Sequence, residues 1–163
     1  MNVWLNRLIK GAFLFFITFL LLQQYDDHFM VPFKDRVGET LPLLEKIDWL
    51  DNQVGREGLP ILYIRWEIWC PACLSSIEKN NEIAKNFKEK LEVIGLTMQW
   101  DDAVQDFGRR VIQYPVGHDG EEIISRFFEI QAIPFYALID KDRKVLFQGN
   151  SIDSATVKEL LER

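Results

Sequence analysis

Ile61-Leu62-Tyr63-Ile64-Arg65-Trp66-Glu67-Ile68-Trp69-Cys70-Pro71-Ala72-Cys73 is the stretch whose reading decides the fold. Ile61 to Trp66 is a β-branched and aromatic run that fits a mostly buried strand. From Pro71 onward Leu74, Ile77, Ala84 and Phe87 fall at helical spacing with charged residues between them. Pro71 suits the first turn of that helix, where its missing N–H is no loss. The local order is therefore strand, cysteine, helix.

The chain holds only 2 cysteines, and both lie in this C-x-x-C. A disulfide closing so small a loop removes little entropy from the unfolded chain, so a structural role explains the pair poorly. A structural zinc site would want four ligands, and the 2 histidines, His28 and His118, are remote from the cysteines in sequence. No metal and no cofactor are expected. Redox exchange remains, with a thiolate as the attacking species. Cys70 sits where unpaired N–H groups and the helix dipole stabilise a charged sulfur, which makes it the expected nucleophile. Cys73, one turn on and less exposed, is the expected resolving cysteine. Trp66 closes the strand and is read as packing, while Trp69 is read as an apolar rim that contacts a bound peptide. Glu67 has two readings, a proton acceptor for Cys73 or a solvated acid at a strand end.

Working outward, Leu91 to Met98 reads as a second buried strand, Asp101 to Ile112 as a helix and Tyr114-Pro115-Val116 as a short extended piece. Glu121 to Ile130 reads as a helix with Ile123, Ile124, Phe127 and Phe128 on one face. Phe135 to Ile139 and Val145 to Phe147 flank a polar turn, Lys141 to Lys144. A last helix is expected with Ser154 as its cap and Val157, Leu160 and Leu161 facing inward. Before the first strand, residues 29–58 carry turn formers among short apolar pieces and suggest a linker followed by a small hairpin. This alternation predicts an α/β fold, helices flanking a central mixed sheet.

Arg7 and Lys10 precede an apolar run, Gly11 to Leu22, that ends in polar residues. The run is short against the roughly 20 residues of a bilayer span, as a signal peptide's would be. The residues after Leu22 are bulky or polar, however, and Lys10 can snorkel so that Leu8 and Ile9 join the span. The reading favours an uncleaved signal anchor with residues 8–22 in the lipid bilayer. Residues 1–26 are then the cytoplasmic tip and single transmembrane anchor, 27–35 a linker and 36–163 the folded domain. Basic residues before the run put that domain across the inner (cytoplasmic) membrane, facing the periplasm or the extracellular side. At 163 residues one core is expected, and nothing demands more than a monomer. The net charge of −6, from 25 acidic and 19 basic residues, argues against nucleic acid as a partner.

Trp66 to Cys73 resembles the W-x-x-W-C-x-x-C signature of thioredoxin-like proteins, and Ala132-Ile133-Pro134 before a strand resembles their cis-proline segment. Val37 to Pro42, Gly58 to Leu62, Tyr114 to Val116 with Asp119, and Ala137 to Asp142 are similar to segments of the TlpA/ResA branch, which includes membrane-anchored disulfide reductases. The similarity covers roughly Arg36 to Arg163. The resemblance implies a thioredoxin-like fold with Pro134 in cis against the cysteines and the backbone of Ile133 free to bond an extended substrate. Ile64 stands where thioredoxin has a buried aspartate, which turns attention to Glu67. The resemblance implies protein disulfides or thiols as substrates and a membrane electron donor for the dithiol.

Two functional classes stay open. One is an enzyme exchanging thiols and disulfides, as a reductase or as a disulfide-forming oxidant, since both directions share the motif. The other is a Cu(I)-binding protein using the same soft thiolates. The motif supplies no third ligand, with His118 read as a loop residue and Met98 as strand packing. Peroxide reduction is weaker, because no cysteine has the peroxidatic spacing.

Overall fold

The run Ile61–Arg65 forms a strand with all but its first residue buried, as the apolar Ile61 to Ile64 fit a strand covered on both faces; the charged Arg65 at its end is buried as well. The computed structural model describes residues 33–44, 46–52 and 58–163. In chain order the strands are β1 (Asp48–Trp49), β2 (Ile61–Arg65), β3 (Glu92–Thr97), β4 (Val116–His118), β5 (Phe135–Ile139) and β6 (Val145–Gly149). The helices are α1 (Pro71–Asn86), α2 (Asp102–Val111), α3 (Ile123–Phe128) and α4 (Ser154–Leu161). The strands form one mixed sheet in the order β1-β4-β3-β2-β5-β6. β2 runs parallel to β3 and antiparallel to β5, with Tyr63 opposite Ile94 on one side and Ala137 on the other.

Alternation along the strands sends side chains to two apolar clusters. Leu62, Ile64 and Trp66 join one with Ile77 and Ile83 of α1, Val104 of α2 and Val157 of α4. Tyr63 joins the other with Leu41, Phe135, and Ile124 and Phe128 of α3. The C-terminal end of β2 and the N-terminus of α1 thus meet at one edge of the core, where the cysteines lie.

Several expectations are corrected. Leu74 does not face inward but is 38% exposed; the buried face of α1 is Cys73, Ile77, Asn80 and Ile83. α3 is shorter than Glu121 to Ile130, because Glu122 and Glu129 both take left-handed backbone angles that end the helix. α4 is capped by Asp153, whose side chain accepts from the N–H of Thr156, and Ser154 is its first helical residue. The expected hairpin is not formed by the described residues of 33–58. Instead β1 pairs with β4 and Thr40 bridges to Lys144, so the segment completes sheet edges that would otherwise be unpaired. Phe33 and Lys34, expected in a linker, are engaged by the domain. The Phe33 ring meets Phe135 edge-on at 5.2 Å, and the Lys34 N–H donates to the Phe128 carbonyl at 2.6 Å. The anchor expected over residues 8–22 lies outside the described residues, among which no helix is long and apolar enough to cross a membrane.

Candidate active site

Cys70 is the N-cap of α1, with extended backbone angles, and its Sγ accepts a hydrogen bond from the Cys73 N–H at 3.1 Å. The turn before it is closed by the Cys70 N–H donating to the Glu67 carbonyl at 3.1 Å. Cys70 and Cys73 are joined as a disulfide with Cα atoms 5.2 Å apart. Cys70 is 5% exposed and Cys73 1%, so an incoming group meets Cys70 first. A sulfur held at a helix start and touching a backbone N–H is placed to carry negative charge once the disulfide is opened.

The Ile133–Pro134 peptide is cis, and it brings the Ile133 carbonyl oxygen to 3.7 Å from Cys70 Sγ. Asn150, just beyond β6, donates from its side-chain amide to the carbonyls of Pro134 at 2.9 Å and Ala132 at 3.4 Å. The sequence reading missed this brace, since no local pattern joins residues so far apart. Trp69 stands 64% exposed beside the pair. A groove of about 240 Å³ runs from Trp69 past Ile133, Ile130 and Met98 to Ser125, with Arg65 also in its lining.

Glu67 is not a solvated acid. Its side chain is 3% exposed and forms an ion pair with Arg65, itself 6% exposed, at 2.6 Å. The Glu67 carboxylate also accepts from the Thr97 hydroxyl at 2.8 Å and the Met98 N–H at 2.9 Å. Arg65 further donates to the Trp66 carbonyl at 2.6 Å and to Ser125 Oγ at 3.2 Å. Among the described residues the Glu67 side chain contacts neither cysteine by a hydrogen bond. The pair ties the end of β2 to the end of β3 and to α3. Trp66 is buried in the core as read, with its ring 6.0 Å from that of Phe107.

Met98 is not strand packing: it lies just past β3, is 37% exposed and lines the groove. His118 is not on a loop but ends β4, stacked on Trp100 at 5.6 Å with Nδ1 3.3 Å from Asp48 and Nε2 3.2 Å from the Met98 carbonyl oxygen.

A mixed sheet whose central strand delivers a cysteine pair to a helix start, with that pair opposed by a cis-proline turn, leaves thiol and disulfide exchange as its chemistry. The class is that of thioredoxin-like thiol-disulfide oxidoreductases. Residues 52–162 match the Redoxin family, and the chain belongs to it. It is 30% identical over 145 residues to the thiol-disulfide oxidoreductase ResA of Bacillus thuringiensis subsp. konkukian, covering 85% of this chain and 82% of that one. To ResA of Bacillus cereus it is 29% identical over 167 residues, 94% of each chain. The fold is similar to that of StoA from Bacillus subtilis, with a TM-score of 0.56, 16% identity and coverage of 64% of this chain and 84% of that chain. It is also similar to the exposed lipoprotein thioredoxin Etrx1 from Streptococcus pneumoniae, with a TM-score of 0.59, 19% identity and coverage of 72% and 98%. The protein is thus an enzyme that exchanges thiols and disulfides.

Proposed function

We propose that this chain is a membrane-anchored extracytoplasmic reductase of protein disulfides. The observation that carries the reading is Cys70 at the start of α1, its sulfur bonded to the Cys73 N–H and set beside the exposed Trp69. In the reduced protein the Cys70 thiolate attacks one sulfur of a substrate disulfide, forming a mixed disulfide and expelling the other substrate sulfur as a thiolate. Cys73 then loses its proton and attacks Cys70 Sγ. The Cys70–Cys73 disulfide forms, the second substrate thiol leaves, and two electrons have passed to the substrate. A membrane dithiol donor restores the reduced pair. Trp69, Ile133 and Pro134 form the substrate-binding wall, with the extended segment of the partner bonding the Ile133 backbone as an added strand. Glu67 is the acid nearest the pair in sequence, but its contacts to Arg65, Thr97 and Met98 support a positioning role better than proton transfer to Cys73. The anchor over residues 8–22 rests on the basic and apolar pattern of the N-terminal sequence. It would raise the effective concentration of a membrane donor.

The test is the reduction potential of the protein, read by Trp fluorescence in glutathione or dithiothreitol buffers, with Cys70→Ser and Cys73→Ser as controls. A value near or below about −230 mV is expected of a reductase, whereas one near about −120 mV would make the protein an oxidant of folding chains. Failure to form the Cys70–Cys73 disulfide at any potential would redirect attention to Cu(I).

A further inference from the structure

We propose that Arg65 is a specificity-determining residue, donating a hydrogen bond from the groove lining to a neutral oxygen acceptor on the substrate residue beside the attacked cysteine. The inference rests on the disulfide-reducing reading above. Disulfide exchange itself needs no buried cation, yet β2 ends in one, immediately ahead of the W-x-x-W-C-x-x-C motif. Three contacts fix its guanidinium. Nε donates to Ser125 Oγ at 3.2 Å, and Nη1 donates to the Trp66 carbonyl at 2.6 Å and faces Glu67 at 2.6 Å. Among the described residues Nη2 has no hydrogen-bond partner and is not one of the sealed, unsatisfied polar atoms. Arg65 lines the groove that Trp69 and Ile133 also line, and with Nε and Nη1 engaged elsewhere the donor we assign to that groove is Nη2. Trp69, next to Cys70 in sequence, and Ile133, whose carbonyl is 3.7 Å from Cys70 Sγ, both line this groove, which places it beside the bond a disulfide-linked segment would make.

The charge pattern selects the acceptor. The positive charge of Arg65 is already matched by Glu67, and Glu122 adds a second carboxylate to the groove lining. An anionic side chain would meet one cation against two carboxylates, whereas an amide or hydroxyl oxygen takes the Nη2 bond without that repulsion. Apart from Ser125 and Gln131 the remaining walls, among them Trp69, Met98, Ile130 and Ile133, are apolar and offer no competing charge. The recognised class is therefore a segment with Gln, Asn, Ser or Thr beside the reactive cysteine.

The experiment compares peptides with one internal disulfide that differ only in having Gln, Leu or Glu next to the attacked cysteine, reduced by the full chain with dithiothreitol as electron source. The kcat/KM for the Gln peptide is expected to exceed that for Leu by about tenfold, with Glu lowest. In the double variant Arg65→Met/Glu67→Gln, which removes both charges together, the Gln-to-Leu ratio should fall to about one. An unchanged ratio overturns the proposal. A second measurement needs no change in the pair: mixed disulfides of each peptide are trapped on Cys73→Ser and the Arg65 guanidinium resonances recorded by NMR. They should move with the Gln peptide and not with Leu, and equal spectra would overturn the assignment. Reduction of none of the peptides, or full turnover by Cys70→Ser, would bring down the reductase reading and this proposal with it.

Discussion

At the residue scale the two cysteines have unequal environments, and variants should separate their roles. Cys70→Ser is expected to abolish disulfide reduction. Cys73→Ser should instead accumulate a mixed disulfide with substrate, seen as an added mass by mass spectrometry under non-reducing conditions. The Arg65–Glu67 pair makes a different prediction. Removing one member leaves the other buried and uncompensated, so Arg65→Met should destabilise the domain by about 3–5 kcal/mol in urea unfolding. The double variant should lose much less, because no lone charge remains. A C-x-x-C at a strand-to-helix junction made Cys70 and Cys73 legible as a reactive pair from their spacing. The burial of Glu67 was not legible, since besides the nearby Arg65 its partners are Thr97 and Met98 at the end of another strand.

At the scale of elements, caps and close approaches decide where each helix and strand begins. α3 starts at a residue with left-handed backbone angles and no side-chain cap of its own. Asp119, fully buried, fills that role: its carboxylate accepts from the N–H groups of Ile123 and Ile124, each at 3.0 Å. Asp119→Ala should therefore cost about 2 kcal/mol of unfolding free energy, measured by chemical denaturation. On β3, Gly95 leaves room for two large rings. An added Cβ would come within 3.0 Å of Trp66 Nε1 and of the Tyr114 ring. Gly95→Ala is expected to destabilise the domain by about 1–3 kcal/mol, checked by its shift in the urea midpoint. The strand signal at residues 91–98 came from apolar composition alone. It carried no hint that one position had to be glycine, because the rings that crowd it come from residues 66 and 114.

For the whole molecule, the cores on the two sides of the sheet bury tyrosines, and this sets a response to alkaline pH. Burial pushes the Tyr63 phenol up to about 12 from an ordinary value of 10.0, and burial also raises Tyr114. Below pH about 10 both phenols are neutral folded and unfolded, and their burial contributes in full. Above that the unfolded chain releases its protons first, so stability falls until the folded phenol itself ionises near 12. The slope is about 1.4 kcal/mol per pH unit for one such group. Urea midpoints between pH 9 and 11 should fall, and Tyr63→Phe should flatten that fall. A variant with the same slope would remove Tyr63 as its source.

What the amino-acid sequence determined by itself is everything that depends on neighbours along the chain. The run Ile61–Arg65 had to be a buried strand, Pro71 had to open a helix, and two cysteines three residues apart had to meet at that helix's first turn. These follow from periodicity, capping and backbone sterics, which act over a few residues. Tertiary structure decided what depends on partners distant in sequence. It set Asp48–Trp49 as the edge strand beside β4, turned Leu74 outward and Asn80 inward, and braced the cis-proline turn with Asn150. It also buried Glu67, read from sequence as either a proton acceptor or a solvated acid, by setting Thr97 and Met98 of another strand end against its carboxylate beside Arg65. Burial and hydrogen-bond satisfaction are properties of the packed whole, and a polar side chain finds its partner only when the sheet and helices have brought the two together.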